Sequence, residues 1–180
     1  MDFFIDPAWV ALFFVFLLTI YMMVIIRREK QTYLTHSSAF LFDDFILYPP
    51  SWWEIKNQET GYLSFERADT FYEWVASFQT KELEKVASLK KRLEDLKIIL
   101  DHDSSKMPSF SCELDSEWEY ASIEGTGTQD SERRIFYQGK LFTHRFTKKK
   151  LLCESLSSVL NGGLEGPYFE EVLKRIKRAE

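Results

Sequence analysis

The sequence contains little cysteine and little histidine, and it lacks an excess of basic residues. Its 180 residues include two cysteines, Cys112 and Cys153, and three histidines. Because the two cysteines form no CxxC pair, they indicate no disulfide framework, and whether they are free or paired stays open. The formal net charge of −5 argues against a nucleic-acid partner, since general nucleic-acid binders carry a strong basic excess.

A long hydrophobic run lies near the N-terminus. Residues 8–26 are nineteen consecutive residues without a charge, and a helix of this length is roughly 28 Å long, which matches the hydrocarbon core of a bilayer. Asp6 and Pro7 are typical of a helix start. We predict a membrane anchor over residues 1–30, with a transmembrane helix at about 7–27 that contacts lipid through residues 8–26. A cleaved signal is the alternative, but no basic residue precedes the run and no small-residue cleavage site follows it.

The charges that flank the run predict its orientation. Arg27, Arg28 and Lys30 follow the run directly, whereas Asp2 and Asp6 precede it. Basic residues are retained on the cytosolic side of a membrane. We therefore expect the rest of the chain to lie in the cytosol.

The remaining sequence predicts a polar linker, residues 31–39, and one α+β domain, residues 40–180. Extended segments rich in aromatic and β-branched residues are predicted at 40–55, 62–68, 72–79, 118–128 and 133–146, the last as a hairpin that turns near Gln138 and Gly139. Helices are predicted at 80–100 and from Pro167 onward, after a break at Asn161-Gly162-Gly163. Residues 148–159 have no clear assignment. The prediction is one antiparallel-sheet domain with a long central helix and a C-terminal helix.

The predicted central helix carries a narrow apolar stripe. Its members follow 3-4 spacing and are Val86, Leu89, Leu93, Leu96 and Leu100. We interpret the helix as packed on its own sheet. A coiled-coil seam for a partner is the alternative, although the repeat is short for one.

Residues that could take part in catalysis or metal binding are scattered along the chain. Asp101-His102-Asp103 has no second ligand cluster to complete a metal site, and the segment Glu124–Thr128 lacks the lysine of a phosphate loop. Cys153 with His144 resembles a nucleophile and base, but no third orienting residue is evident. We predict no catalytic residue, no cofactor and no bound metal.

Two sets of residues are candidates for surface contacts. Interface hot spots favour tryptophan and tyrosine, and the candidate protein contacts are Tyr48, Trp52, Trp53, Tyr72 and Trp74, with core packing as the alternative for each. Basic residues near a cytosolic leaflet attract anionic lipid, and the candidate lipid contacts are Arg27, Arg28, Lys30, Lys148, Lys149, Lys150, Lys174 and Arg175. A solvated helix face is the alternative for the basic residues.

Three local features and the order of elements resemble the PsbP-like α/β-sandwich family. The segment FILYPPSWWEI is similar to the family's opening, in which a strand leads into a tyrosine–proline pair and a tryptophan, here Tyr48, Pro49 and Trp52 or Trp53. A long helix follows the first strands, and YQGKLFTHRF with YFEEVLKRIK resembles the late hairpin and closing helix. The resemblance covers about residues 40–177, and the chain departs from it by its anchor and its long central helix.

The resemblance implies a non-enzymatic accessory or binding role, and no functional residues transfer because the family shares no catalytic motif. Together with the anchor, this predicts a membrane-anchored accessory or scaffold protein that binds another protein, as a subunit of a membrane complex. A peripheral lipid-sensing module and an enzyme with a site assembled from scattered residues are the alternatives.

Overall fold

A computed structural model of the chain describes residues 7–67, 73–81, 88–102, 106–110, 114 and 117–179. The chain divides into two compact units, Met1–Ser37 and Ser38–Glu180. Each unit is described by itself below.

The described part of the first unit forms the helix α1 (Pro7–His36). Its segment Trp9–Thr35 is long and apolar enough to cross a membrane. The hydroxyls of Thr19 and Thr35 donate to carbonyls one turn earlier, at 2.8 and 2.9 Å, so these polar groups are satisfied within the helix. The helix continues through residues 31–36, where the sequence pattern predicted a linker, because arginine, lysine, glutamate and glutamine around Lys30 are good helix formers.

Within its described residues, the second unit contains two antiparallel sheets and two helices. Its elements are β1 (Phe40–Phe42), β2 (Phe45–Leu47), β3 (Trp53–Glu59), β4 (Tyr62–Arg67), β5 (Trp74–Gln79), α2 (Leu89–Asp95), β6 (Ile98–Leu100), β7 (Lys106–Phe110), β8 (Trp118–Gln129), β9 (Arg133–His144), β10 (Lys150–Ser157), α3 (Val159–Arg175) and β11 (Lys177–Arg178). The large sheet has the order β3-β4-β5-β10-β9-β8-β6, with β7 paired to β8, and the small sheet has the order β1-β2-β11. The predicted α+β class with an antiparallel sheet and a C-terminal helix is confirmed.

The large sheet buries side chains on both faces. Because side chains alternate along a strand, Ile135 and Tyr137 of β9 share one face, where they cluster with Leu89 and Leu93 of α2. The intervening Phe136 lies on the other face, against α3. The helix α3 buries the apolar face that its sequence pattern predicts, which consists of Phe169, Val172, Leu173 and Ile176.

The predicted central helix is much shorter than 80–100. Thr80 and Lys81 are not helical, and residues 82–87, with Val86, lie outside the described residues. The helix α2 begins after Ser88, whose side chain accepts a hydrogen bond from the amide of Lys91, and ends at Asp95 with Leu96 as its C-cap. Lys97 then adopts a positive φ of 52°. Strand β6 follows because its β-branched residues pair with β8. The described members of the apolar stripe, Leu89, Leu93, Leu96 and Leu100, therefore pack on the chain's own sheet.

The predicted hairpin turn at Gln138 and Gly139 is wrong, because both residues lie in the middle of the uninterrupted strand β9. A Cβ atom at Gly139 would collide with the ring of Tyr137. The glycine therefore makes room for a neighbouring side chain and does not mark a turn. The unassigned residues 148–159 supply β10, which lies between β5 and β9.

The break predicted at Asn161-Gly162-Gly163 is also wrong, because these residues form the first turns of α3. The helix begins after Ser158, whose side chain accepts from the amide of Asn161. A Cβ atom at Gly162 would collide with Phe136, whereas one at Gly163 would meet no atom within 4 Å. Gly162 thus permits the close approach of α3 to the sheet.

These adjacent glycines predict opposite effects of alanine. We expect Gly162→Ala to lower the free energy of unfolding by about 1–3 kcal/mol, because the added methyl group overpacks the contact with Phe136. Gly163→Ala should raise it by about 0.5–1 kcal/mol, since alanine is the better helix former and the site is open. Thermal and urea unfolding of the full chain in detergent measures both, and equal effects would contradict the packing of α3.

Candidate functional site

The predicted aromatic contacts fall into different environments. Trp53 and Trp74 are only 6% and 1% exposed, and their ring centroids lie 4.4 Å apart within the core. The contact prediction is corrected at these two positions, because a side chain enclosed by its own chain offers no surface to a partner. Trp52 and Tyr48 are half-buried and keep accessible surface, and Tyr72 lies outside the described residues.

A fully buried carboxylate, Glu165 of α3, holds this region together. The indole nitrogens of Trp53 and Trp52 donate to its Oε2 atom at 3.1 and 3.4 Å. The guanidinium of Arg67 pairs with its Oε1 atom. A buried charge is tolerated only when it is paired and hydrogen-bonded, so this network fixes α3 against β3 and β4 and orients Trp52 at the surface.

The sequence pattern missed Glu165 because no helix was expected at that position. Gly162, Glu165, Gly166 and Phe169 are all buried and follow the i, i+3, i+4, i+7 spacing of one helix face. A helix started at Ser158 would have placed the acid on the buried face and indicated a buried ion pair.

The outward face of the first half of α3 is apolar. Leu160 and Leu164 are 75% and 47% exposed, and Tyr168 follows four residues later on the same face. The ring of Tyr168 meets that of Trp52 edge to face, with centroids 5.0 Å apart. We call Leu160, Gly163, Leu164, Tyr168 and Trp52 the α3 stripe. Clustered exposed apolar side chains are typical of interaction sites, and of these five residues sequence reasoning identified only Trp52.

A second buried network lies on the opposite face of the sheet. Arg92 of α2 binds the Glu154 carboxylate through Nε and Nη2, at 3.0 and 2.9 Å, and the Tyr137 hydroxyl donates to it at 2.8 Å. Burial, together with the charge of Glu154, raises the pKa of Tyr137 well above its ordinary value. The hydrogen bond to Glu154 raises the pKa of Arg92. These groups satisfy one another and join α2 to the sheet.

Cys153 and His144 do not form a nucleophile and base arrangement. Cys153 is fully buried, and burial raises the pKa of its thiol well above the ordinary value, which disfavours the reactive thiolate. The Nδ1 atom of His144 accepts from the amides of Phe146 and Thr147, both at 3.2 Å. Its Nε2 atom lies 3.1 Å from the Glu117 carboxylate. Nδ1 therefore stabilises the turn after β9, and Nε2 contacts the residue that precedes β8.

The acidic loop around Asp101 is held by an ion pair. Arg134 binds both carboxylate oxygens of Asp101, at 2.8 and 2.7 Å, and Thr126 donates to one of them at 2.7 Å. The Arg134 hydrogen bonds, with that of Thr126, lower the pKa of Asp101 to about 2. Asp103 lies outside the described residues, and in the part of the chain that the structure describes no three metal-binding side chains cluster.

The basic candidates lie in both units. Arg27 and Arg28 are in α1, as is Lys30, whose side chain is not described. Lys148 is exposed in the turn before β10. In the second unit, Lys149 and Lys150 border an open hollow of about 540 Å³ with Asp44, and Lys174 and Arg175 border another of about 400 Å³ with Tyr48 and Lys177. The guanidinium of Arg175 lies 4.9 Å from the centroid of the Tyr48 ring, so Tyr48 belongs to this basic region.

The second unit is thus an α+β domain with an antiparallel sheet covered by a helix on each face. No family model matches the chain, and no match is found among curated proteins. Among solved structures it is similar to cyanobacterial PsbP from Synechocystis, at 13% identity and a TM-score of 0.48, over 79% of this chain and 91% of that one. It is also similar to a Pseudomonas aeruginosa protein of unknown function, at 9% identity and a TM-score of 0.38, over 77% and 94%. The first of these belongs to the family that the sequence motifs resemble, and the likeness concerns the fold alone.

Two glutamates of α3 predict very different costs of substitution. We expect Glu165→Ala to lower the free energy of unfolding by about 3 kcal/mol, because it removes the buried carboxylate that Arg67 and two indoles share. The matched control Glu170→Ala should change it by less than about 0.5 kcal/mol, since Glu170 is exposed and its pair with Lys174 spans 3.7 Å. Urea unfolding followed by tryptophan fluorescence measures both, and similar costs would contradict the burial of Glu165.

Burial of Cys153 predicts an unreactive thiol. In a Cys112→Ser variant, Cys153 should resist maleimide under native conditions and react fully after unfolding, because only the accessible thiolate is nucleophilic. Adding Ser51→Cys, at an exposed position, to the same variant supplies a control thiol that should react at once. Rapid native labelling of Cys153 itself would show that β10 is not enclosed.

Proposed function

We propose that this chain is a membrane-anchored, non-catalytic accessory protein whose domain binds another protein as a subunit of a membrane complex. The anchor is α1, with residues 8–26 in the bilayer. The contact surface is the α3 stripe. The observation that carries this proposal is the exposure of Leu160 and Leu164 beside the Trp52–Tyr168 pair.

The chemistry of the α3 stripe fits a protein partner with a complementary apolar face. Tryptophan and tyrosine dominate interface hot spots, and leucines around them exclude water. Gly163 has open space above it, which lets a partner backbone approach closely. Because Glu165 already holds the Trp52 indole, little side-chain freedom is lost on binding, which favours affinity.

The non-catalytic assignment is supported by how the polar groups of the domain are used. Glu154 and Glu165 are buried and bound by their own chain's donors, and Asp101 is held by Arg134. Cys153 is enclosed and His144 serves a turn. Within the described residues, these groups stabilise the fold and do not converge on a shared cleft.

The proposed orientation places the domain in the cytosol. Arg27, Arg28 and Lys30 follow the apolar run directly, and such a cluster is retained on the cytosolic side. Labelling of a cysteine at an exposed domain position with an impermeant maleimide in intact cells tests this orientation independently of any partner.

Partner binding predicts a loss of co-purification when the stripe is made polar. The full-length chain is extracted from its native membrane in mild detergent, the particle is sized, and co-purifying proteins are identified. Wild type should yield a stoichiometric partner, and Leu160→Ser with Leu164→Ser should reduce its recovery at least about tenfold, since two buried apolar contacts are lost.

The control variant is Phe146→Ser, which removes a side chain that is 74% exposed and lies outside the stripe. It should retain the partner. Unfolding curves that match wild type establish that the double variant is folded. A lone small particle from wild type, or undiminished partner recovery by the double variant, would contradict the proposal.

A further inference from the structure

We propose that the end of the domain built around the small sheet binds the anionic headgroups of the membrane that holds α1. This inference rests on the membrane anchor of the proposed function, but it concerns a different surface and a different partner. We call this surface the basic end, and it consists of Lys149, Lys150, Lys174, Arg175, Lys177 and Arg178.

The C-terminal part of the basic end is fixed by backbone pairing. In strand β11, Lys177 pairs with Ile46 and Arg178 pairs with Phe45 of β2. The amide of Ala179 donates to the carbonyl of Asp44 at 2.8 Å. Basic residues that would otherwise belong to a free tail are therefore held on a sheet, next to the last turn of α3.

Lys149 and Lys150, at the start of β10, also lie at the basic end, close to β11. The Lys149 ammonium lies 2.7 Å from the Asp44 carboxylate. The hydrogen bond and charge of Lys149 lower the pKa of Asp44, and the charge of Arg178 acts in the same direction. Two clusters far apart in sequence thus meet at Asp44.

The balance of charge makes this end distinct from the rest of the chain. The whole chain carries a formal charge of −5, yet among the described residues the six basic side chains of this end outnumber the acids Asp43, Asp44 and Glu170 beside them. Lys149 and Lys174 remain 58% and 53% exposed despite their ion pairs. A concentrated positive surface on an acidic protein is attracted to anionic lipid and repelled from acidic neighbours.

Chain connectivity favours lipid as the source of the anionic groups. The small sheet begins with β1, and three residues separate Phe40 from the end of α1 at His36. This sheet is therefore the part of the domain most closely tethered to the anchor along the chain. Arg27 and Arg28 add basic charge directly after the apolar run, where headgroups lie.

The experiment uses the full-length chain in nanodiscs, with amine acetylation measured at each lysine by mass spectrometry. One set of discs contains phosphatidylcholine alone, and the other also contains phosphatidylserine. We expect labelling of Lys149, Lys174 and Lys177 to fall severalfold in the anionic discs and to recover at high salt, because screening weakens surface attraction. Labelling of Lys56 and Lys97, which are exposed elsewhere on the domain, should not change.

Variants distinguish an effect of the basic end from a general effect of basic charge on the domain. Lys174→Gln with Lys177→Gln and Arg178→Gln should restore the labelling of Lys149 in anionic discs to its level in neutral discs. The matched control Lys56→Gln with Lys97→Gln should leave Lys149 protected. Equal labelling of the basic end in both kinds of disc, or equal protection of Lys56 and Lys97, would overturn the inference.

Elution of the chain with the nanodiscs tests the membrane anchor separately from the lipid contact. A chain that does not elute with the discs is not membrane-anchored, which overturns both the proposed function and this inference. A chain that elutes with the discs but shows equal labelling overturns the lipid contact alone.

Discussion

The carboxylate of Glu165 lies in the interior of the domain, where water cannot solvate its charge. Arg67, Trp52 and Trp53 all direct donors at it, and these residues come from a segment more than ninety positions earlier in the chain. The requirement to pair this charge determines how α3 lies on the sheet. It also determines which face of α3 is left outside, and hence that Leu160 and Leu164 are exposed.

A second buried carboxylate, Glu154, lies on the opposite face of the sheet and is likewise paired by donors from its own chain. Glu154 is met by Arg92 and Tyr137, and this network brings the short helix α2 onto the strands. Both buried acids are fully engaged within the chain, so the polar interior of the domain serves stability. The contacts proposed for the domain therefore lie on its surface, and α3 contributes to both of them.

The two proposed contacts occupy different parts of α3. The apolar stripe runs along α3 from Leu160 to Tyr168, and the basic end begins at Lys174 in the last turn of the helix. Six residues therefore separate Tyr168 from Lys174, a rise of about 9 Å along the helix axis. The proposed protein contact and the proposed lipid contact use different residues of the domain.

The sequence by itself determined the elements whose signals are local. An uninterrupted apolar run specifies α1, strand alternation specifies most of the large sheet, and the spacing of Phe169, Val172 and Leu173 specifies the buried face of the C-terminal helix. The α+β class follows from these elements alone. Local signals failed where glycine was involved, because Gly139 and Gly162 serve close packing against Tyr137 and Phe136 and do not mark a turn or a break.

Only the tertiary structure decided which of two adjacent tryptophans is surface and which is core, because Trp52 and Trp53 differ in the neighbours they meet and not in type. It also decided that part of a helical repeat becomes strand β6, since the pairing energy comes from β8, about thirty residues away. The buried role of Glu165 and the meeting of two basic clusters at Asp44 depend on contacts between distant segments. Periodicity in one segment carries no information about such contacts, so these features required the folded chain.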